Sequence, residues 1–258
     1  MPKIITEDMI EQAAIKALQK RHDYNVLNCM TEEPDALPDG TGRKDKKQVV
    51  LPDVMFDSLC RINPDIPEAT VRTVVDELCR TKVSGDLMLT NYQNYQKIRN
   101  GITVEYNKNG KKTSNILRLL SYNDALSNTF TVASQMWIKG ETHWRRPDLM
   151  VFINGFPMVF IELKNSNIPV KNAYDINLKN YLKDIPYLFN YNQICVLSNG
   201  IETRLGSFAA GYEFFFEWLK VENEKENPDR KAIRENCTSL EYFIAGLCEP
   251  KNLLDYIE

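Results

Sequence analysis

The chain has 258 residues, 43% of them hydrophobic and 26% charged, which is enough for one sizeable core or a core with a smaller lobe. A formal charge of −3 excludes the broadly basic surface of a free-standing DNA binder, so any DNA contact must be local or assisted by other subunits. No apolar run is long enough to span a membrane, and the N-terminus MPKIITEDMIEQAAIKAL carries acids where a secretory signal would be basic and then apolar.

Residues 6–20 read as a helix: Thr6 suits an N-cap, and Met9, Ile10, Ala13, Ala14, Ala17 and Leu18 fill one stripe. Residues 31–48, rich in Pro, Gly and charge, read as an exposed loop. Residues 51–62 and 67–80 follow as helices, with Pro67 in a first turn, and 91–100 as another that stops at Gly101. The period then changes. Ile102, Val104 and Tyr106 alternate with polar residues, Asn109-Gly110 marks a turn, and 115–120 returns as a strand. Residues 130–138 alternate again. Residues 149–153 and 157–163 are dense in apolar side chains, as strands buried on both faces should be, and Asn154-Gly155 turns between them. A helix over 172–183, strands over 194–197 and 201–205 about Asn199-Gly200, and helices over 212–220 and 240–257 complete the pattern. The expected fold is α/β, with a central mixed sheet flanked by helices.

Six cysteines (Cys29, Cys60, Cys79, Cys195, Cys237 and Cys248) form no C-x-x-C pair, and His22 and His143 are the only histidines. This spacing argues against a zinc site and for reduced thiols in a cytoplasmic protein. Local basic groups are Arg43, Lys44, Lys46 and Lys47, then Lys108, Lys111 and Lys112, then Arg145 and Arg146; each reads as a solvated loop or as a phosphate contact. Only the last pair adjoins suspected chemistry.

That chemistry lies in residues 145–165, RRPDLMVFINGFPMVFIELKN. Glu162 and Lys164 interrupt an apolar strand near its end and, two residues apart, project to one face. Asp148 opens the preceding strand. A two-residue loop at 154–155 pairs residue 148 with 161 and sends the two acids to opposite faces. A three-residue loop at 154–156, or a bulge, pairs 148 with 162 and joins them, and this second arrangement is expected. Two carboxylates with the Leu163 carbonyl between them offer hard oxygen ligands for Mg²⁺, and Lys164 can orient a water and offset phosphate charge. The alternative is a structural Glu–Lys pair at a strand end.

This segment resembles the PD-(D/E)xK nuclease motif as it occurs in the R subunit of type I restriction enzymes. IRNGITVEY at 98–106, residues 130–138 with Gln135, residues 173–205 ending VLSNGIETRLGS, and residues 6–18 are similar to other parts of that family, whereas 25–90 carry little of the likeness. The resemblance implies a restriction-endonuclease-like core with a helical insertion before it. Residues 1–24 would supply its first helix, 25–97 the insertion, 98–211 the core, and 212–258 helices leading towards a motor domain. It implies Asp148 and Glu162 as metal ligands, with Mg²⁺ replaceable by Mn²⁺, and Lys164 as the catalytic lysine. The family's first-helix E-x-x-x-E pattern is matched by Glu7 and Glu11; Glu11 is the favoured approach to the metal, with a solvent-facing acid as the other reading. Its Q-x-x-x-Y pattern is met by Asn177 and Tyr181, one methylene short, and Tyr181 reads equally as packing.

The implied activity is type I site-specific DNA cleavage of double-stranded DNA. Base recognition and methylation would belong to separate specificity and modification subunits. No G-x-x-x-x-G-K-[ST] is present, so ATP use would come only through a motor outside this sequence. Two other readings stand: a nuclease-fold module docking motor to methylase subunits, and a stand-alone nuclease of the same fold.

Overall fold

The computed structural model describes residues 5–80, 85–223 and 225–258; residues 1–4 of the N-terminal helical pattern lie outside the described residues. α1 (Glu7–His22) begins where the Met9 N–H donates to the Thr6 hydroxyl at 3.3 Å, and ends at Asp23 in a left-handed conformation. Its buried residues are Ile10, Ala14, Leu18 and one acid, Glu11. β1 (Asn25–Asn28) follows. After a long loop come α2 (Pro52–Ile62), α3 (Glu68–Leu78) and α4 (Leu87–Asn100). The hairpin β2 (Ile102–Lys108) and β3 (Lys111–Leu117) precedes β4 (Phe130–Ser134), the short pair β5 (Ile138–Lys139) and β6 (Trp144–Arg145), and the hairpin β7 (Leu149–Ile153) and β8 (Phe156–Leu163). A π-helical turn, Ala173–Leu178, runs into α5 (Lys179–Asp184). β9 (Ile194–Ser198), β10 (Thr203–Gly206), α6 (Arg230–Glu235), α7 (Ser239–Gly246) and α8 (Pro250–Ile257) complete the chain.

Among the described residues the main sheet has six strands in the order β1-β4-β7-β8-β9-β10. It is parallel at β1/β4 and β8/β9 and antiparallel elsewhere, so the expected α/β architecture with a mixed sheet is present. Every residue of β4, β7, β8 and β9 is buried, which accounts for their near-continuous apolar sequences.

The β7–β8 turn has two residues, Asn154 at φ 49° and Gly155 at φ 82°. Gly155 is required twice over: its φ is left-handed, and a Cβ there would stand 2.6 Å from the Leu51 carbonyl oxygen. The buried Asn154 amide donates to the Leu119 carbonyl and to Asn128 Oδ1, while its own oxygen accepts from the Thr129 N–H. Phe152 pairs with Pro157 but Val151 pairs with Val159, so Met158 is an extra residue, a bulge. From there Leu149 opposes Ile161, and the next pair outward is Asp148 and Glu162. Of the two ways to join the acids, the bulge is the one adopted.

Several expectations need correction. Residues 25–28, assigned to an insertion, form β1, an edge strand of the main sheet, while β2 and β3 form a separate two-stranded sheet. The 130–138 run breaks at Gln135, whose φ is 56°. Residues 212–220 are not a helix: a single 3-10 turn at Tyr212–Phe214 leads to a bridge between Phe216 and Leu205. Pro67 caps α3 from outside rather than entering its first turn.

The loop over 31–48 is not simply exposed. Asp39, Thr41, Arg43 and Lys46 are buried. Asp39 Oδ2 lies 2.5 Å from Arg43 Nη2 and 2.8 Å from Lys46 Nζ. Burial alone would raise the Asp39 carboxyl, but Lys46, Thr41 and Arg43 hold it down at about 2. Arg43 and Lys46 are therefore interior counter-charges, not DNA-contact candidates. Asp39→Asn would leave two buried cations without a counter-charge, and we expect it to lower the unfolding free energy by about 3 kcal/mol in urea denaturation. Lys44→Ala, on the exposed side of the same loop, is expected to change it by less than about 0.5 kcal/mol.

Candidate active site

The first turn of α1 is clasped to the segment leaving β8. The Ile5 N–H donates to Ser166 Oγ, the Ser166 N–H to the Ile5 carbonyl, and the Glu7 N–H to Asn165 Oδ1. Glu7 and Glu11, one helical turn apart, are thereby brought over the end of the sheet. Glu7 Oε1 lies 3.8 Å from Lys164 Nζ. Glu11 is buried and accepts a hydrogen bond from Gln135 Nε2. Gln135 sits where β4 leaves the sheet, and its N–H still donates to the Asp148 carbonyl at 3.0 Å. Its left-handed φ, unusual for a residue with a side chain, thus coincides with a link between α1 and the start of β7.

Asp148 Oδ2 accepts from the Leu163 N–H at 2.7 Å, so the side chain closes the β7–β8 ladder where the strand ends. Glu162 Oε1 accepts from Lys164 Nζ at 3.2 Å and from the Asn177 amide. Its other oxygen, Oε2, is buried with no hydrogen-bond partner. Lys164 Nζ also donates to the Leu163 carbonyl at 2.6 Å. Asn177 arrives from the π-helical turn, and Tyr181 from α5, where its hydroxyl donates to the Arg146 carbonyl at 2.8 Å and its ring meets Phe160 edge-on. Phe160 and Glu162 point to the same face of β8, which the 173–184 helix covers.

Asp148, Glu162, Lys164 and Asn177 therefore converge, with the Leu163 carbonyl, Glu7 and Glu11 beside them. Tyr181 borders the cluster: its hydroxyl donates its proton to the Arg146 main-chain oxygen and stands close enough to Glu162 to help lower that carboxyl. Sequence reasoning singled out Gln135 only as part of a similar strand. The available signal was a polar side chain closing a buried apolar run.

The electrostatics are those of a site short of positive charge. Burial first, and then the charge of Asp148, push the Glu162 carboxyl up to about 8 despite Lys164. Burial raises Glu11 to about 7, against the Gln135 hydrogen bond and with help from Asp148. Asp148 is also raised by burial, against the Leu163 N–H. The ammonium of Lys164 bridges the Glu162 carboxylate and the Leu163 carbonyl, so these oxygens already converge on a cation. An unpartnered buried carboxylate oxygen and hard oxygen donors fit a divalent ion such as Mg²⁺. Among the described residues no three Asp, Glu, His or Cys side chains form a complete cage, so main-chain oxygen and water would have to complete its shell.

Because all three raised acids bind protons more tightly folded than unfolded, the metal-free protein should lose stability as pH rises from about 4 towards about 8. Glu162→Gln is expected to flatten that decline and to stabilise the metal-free chain at pH 8 by about 1 kcal/mol or more, measured by denaturation across pH.

The sequence matches, over residues 4–236, the family model described as the type I restriction enzyme R protein N terminus. It is 32% identical over 263 residues to the type I restriction enzyme HindI endonuclease subunit of Haemophilus influenzae, an alignment covering 98% of this chain and 24% of that protein. It is 28% identical over 271 residues to the putative type I restriction enzyme MjaIXP endonuclease subunit of Methanocaldococcus jannaschii, covering 99% and 25% respectively. A second M. jannaschii relative, the putative MjaVIIIP endonuclease subunit, is 35% identical over 138 residues, 51% of this chain and 13% of that one. The chain spans about a quarter of the length of the first two relatives, and both alignments run through residues 25–90, where the sequence alone showed little likeness. With a six-stranded mixed sheet flanked by helices and a family match over most of its length, the chain belongs to the family of N-terminal domains of the type I restriction enzyme R subunit.

Proposed function

We propose that the chain is a Mg²⁺-dependent endonuclease domain that hydrolyses phosphodiester bonds of double-stranded DNA within a type I restriction complex. The observation that carries this reading is Glu162: a carboxylate inside a strand of eight buried residues, with one oxygen unpartnered, beside Asp148 and bridged by Lys164 to a carbonyl. Asp148, Glu162 and the Leu163 carbonyl would hold the ion, with Mn²⁺ able to replace Mg²⁺. When bound, the ion supplies Lewis acidity to a phosphate oxygen and lowers the pKa of a coordinated water.

The chain's own residues do the rest. Lys164 offsets phosphate charge and orients the attacking water. Asn177 holds the Glu162 carboxylate from the π-helical turn, and Tyr181 fixes the main chain that leads into Asp148. Glu11, held by Gln135, sets its charge near Asp148 without serving as a third carboxylate ligand. Ion uptake requires Glu162 to be ionised, so binding should release protons and strengthen as pH rises towards about 8.

No base-reading element is evident in this reading, so cleavage is sequence-nonspecific in itself. Specificity and modification subunits would choose and protect the DNA. ATP would be used by the part of the longer relatives that this chain does not span.

Calorimetric titration with Mn²⁺ and plasmid cleavage by the assembled complex test the proposal. Asp148→Asn and Glu162→Gln should each lose ion uptake. Lys164→Ala should retain it and lower cleavage by at least about 100-fold. Undiminished cutting by Lys164→Ala refutes the role given to the lysine, and unchanged Mn²⁺ uptake in Asp148→Asn would leave the fold as a docking module.

A further inference from the structure

Two adjacent arginines precede Asp148, and they are used differently. Arg145 is spent on structure: its guanidinium is ion-paired with Asp184 at the end of α5. Arg146 has no carboxylate within ion-pairing distance among the described residues. Instead its guanidinium lies 4.8 Å from the centre of the Trp137 ring, with Nη1 3.1 Å from the Met30 sulfur. It stands two residues before Asp148, in the segment that enters β7.

The arginine is held at its main chain and its side chain, and the second support is itself braced. Its carbonyl accepts the Tyr181 hydroxyl. Its side chain lies over Trp137. The Trp137 carbonyl in turn accepts from Arg43 Nη2 at 3.1 Å, and Arg43 belongs to the buried Asp39–Lys46 network. The loop over 31–48 thus supports the aromatic platform on which Arg146 rests.

A cation on an aromatic face keeps its donors free for another acceptor. Four carboxylates (Glu7, Glu11, Asp148 and Glu162) stand at this end of the sheet against Lys164, which is already shared between Glu162 and the Leu163 carbonyl. A polyanion approaching them needs a positive group beyond the ion. Guanidinium is suited to phosphate because its planar fork donates two parallel hydrogen bonds, and a side chain that is already ordered loses less freedom on binding.

We propose that Arg146, stacked on Trp137 and seated by the 31–48 loop, binds a phosphate of the DNA backbone next to the one cleaved and so sets the register of the strand over Asp148 and Glu162. The inference rests on the nuclease reading of that site. The arginine contacts phosphate and no base, so its contribution is independent of sequence.

The test measures affinity of the chain for a short mixed-sequence duplex across a salt series, with Ca²⁺ in place of Mg²⁺ to suppress cutting, alongside Mn²⁺ titration. Arg146→Gln should weaken binding uniformly across duplex sequences and reduce the slope of log affinity against log salt by about 1, while Mn²⁺ uptake persists. Arg146→Lys, which keeps the charge, should restore the slope. Trp137→Leu, which removes the platform and keeps the charge, should weaken duplex binding with the slope largely retained. An unchanged slope in Arg146→Gln with Mn²⁺ uptake intact overturns the role of Arg146 alone. A wild-type chain that takes up no Mn²⁺ overturns both this inference and the site on which it rests.

Discussion

The geometry of the site depends on one extra residue. In a strand, shifting the register by one moves a side chain to the other face. The β7–β8 turn has only two residues, and on its own that would set Asp148 opposite Ile161. Met158 makes up the difference. Bulging next to Pro157, which has no N–H to lose from the ladder, it restores Asp148 to the position opposite Glu162. The short turn is itself locked, because the Asn154 side chain makes three hydrogen bonds and Gly155 packs directly against Leu51. With the turn fixed at two residues, the phase correction has to come from within the strand.

Buried charge is the second constraint, and it is handled in opposite ways at two places. Around Asp39, two cations and one acid satisfy each other, and the acid is held low. Around Glu162, acids outnumber cations and are held high. The first arrangement is complete and structural. The second is incomplete, with a carboxylate oxygen left unpartnered in the interior. A protein that closes one charged network so fully has the means to close the other, and the open one lies where the proposed ion would sit.

Legibility in the sequence followed periodicity and burial. β7, β8 and β9 are apolar on both faces, so their runs stood out, and Glu162 and Lys164 stood out against them. Asn154-Gly155 announced the turn, but no local signal distinguishes a bulge at Met158 from a longer loop, because the choice is made by contacts with Leu51, Leu119 and Thr129 far along the chain. β1 was missed because NVLN is short and only half buried at a sheet edge. The loop over 31–48 looked solvated because its charges are read one at a time in sequence, while in the fold they pair with one another. The aromatic spacing of 212–220 imitates a helix, yet its rings pack as an irregular strap, with Phe215 against Tyr174 and Tyr212. Glu11 proves to be the buried one of the two first-helix acids, but its partner Gln135 required knowing that β4 ends one residue earlier.

The clasp between Ile5 and Ser166 reaches beyond its own hydrogen bonds. It ties the beginning of α1 to the exit of the strand that carries Glu162 and Lys164, so the first-helix acids are held against that pair from two directions of the chain. A change at Asn165 or Ser166 would therefore be felt at Lys164 through the helix as well as along the strand.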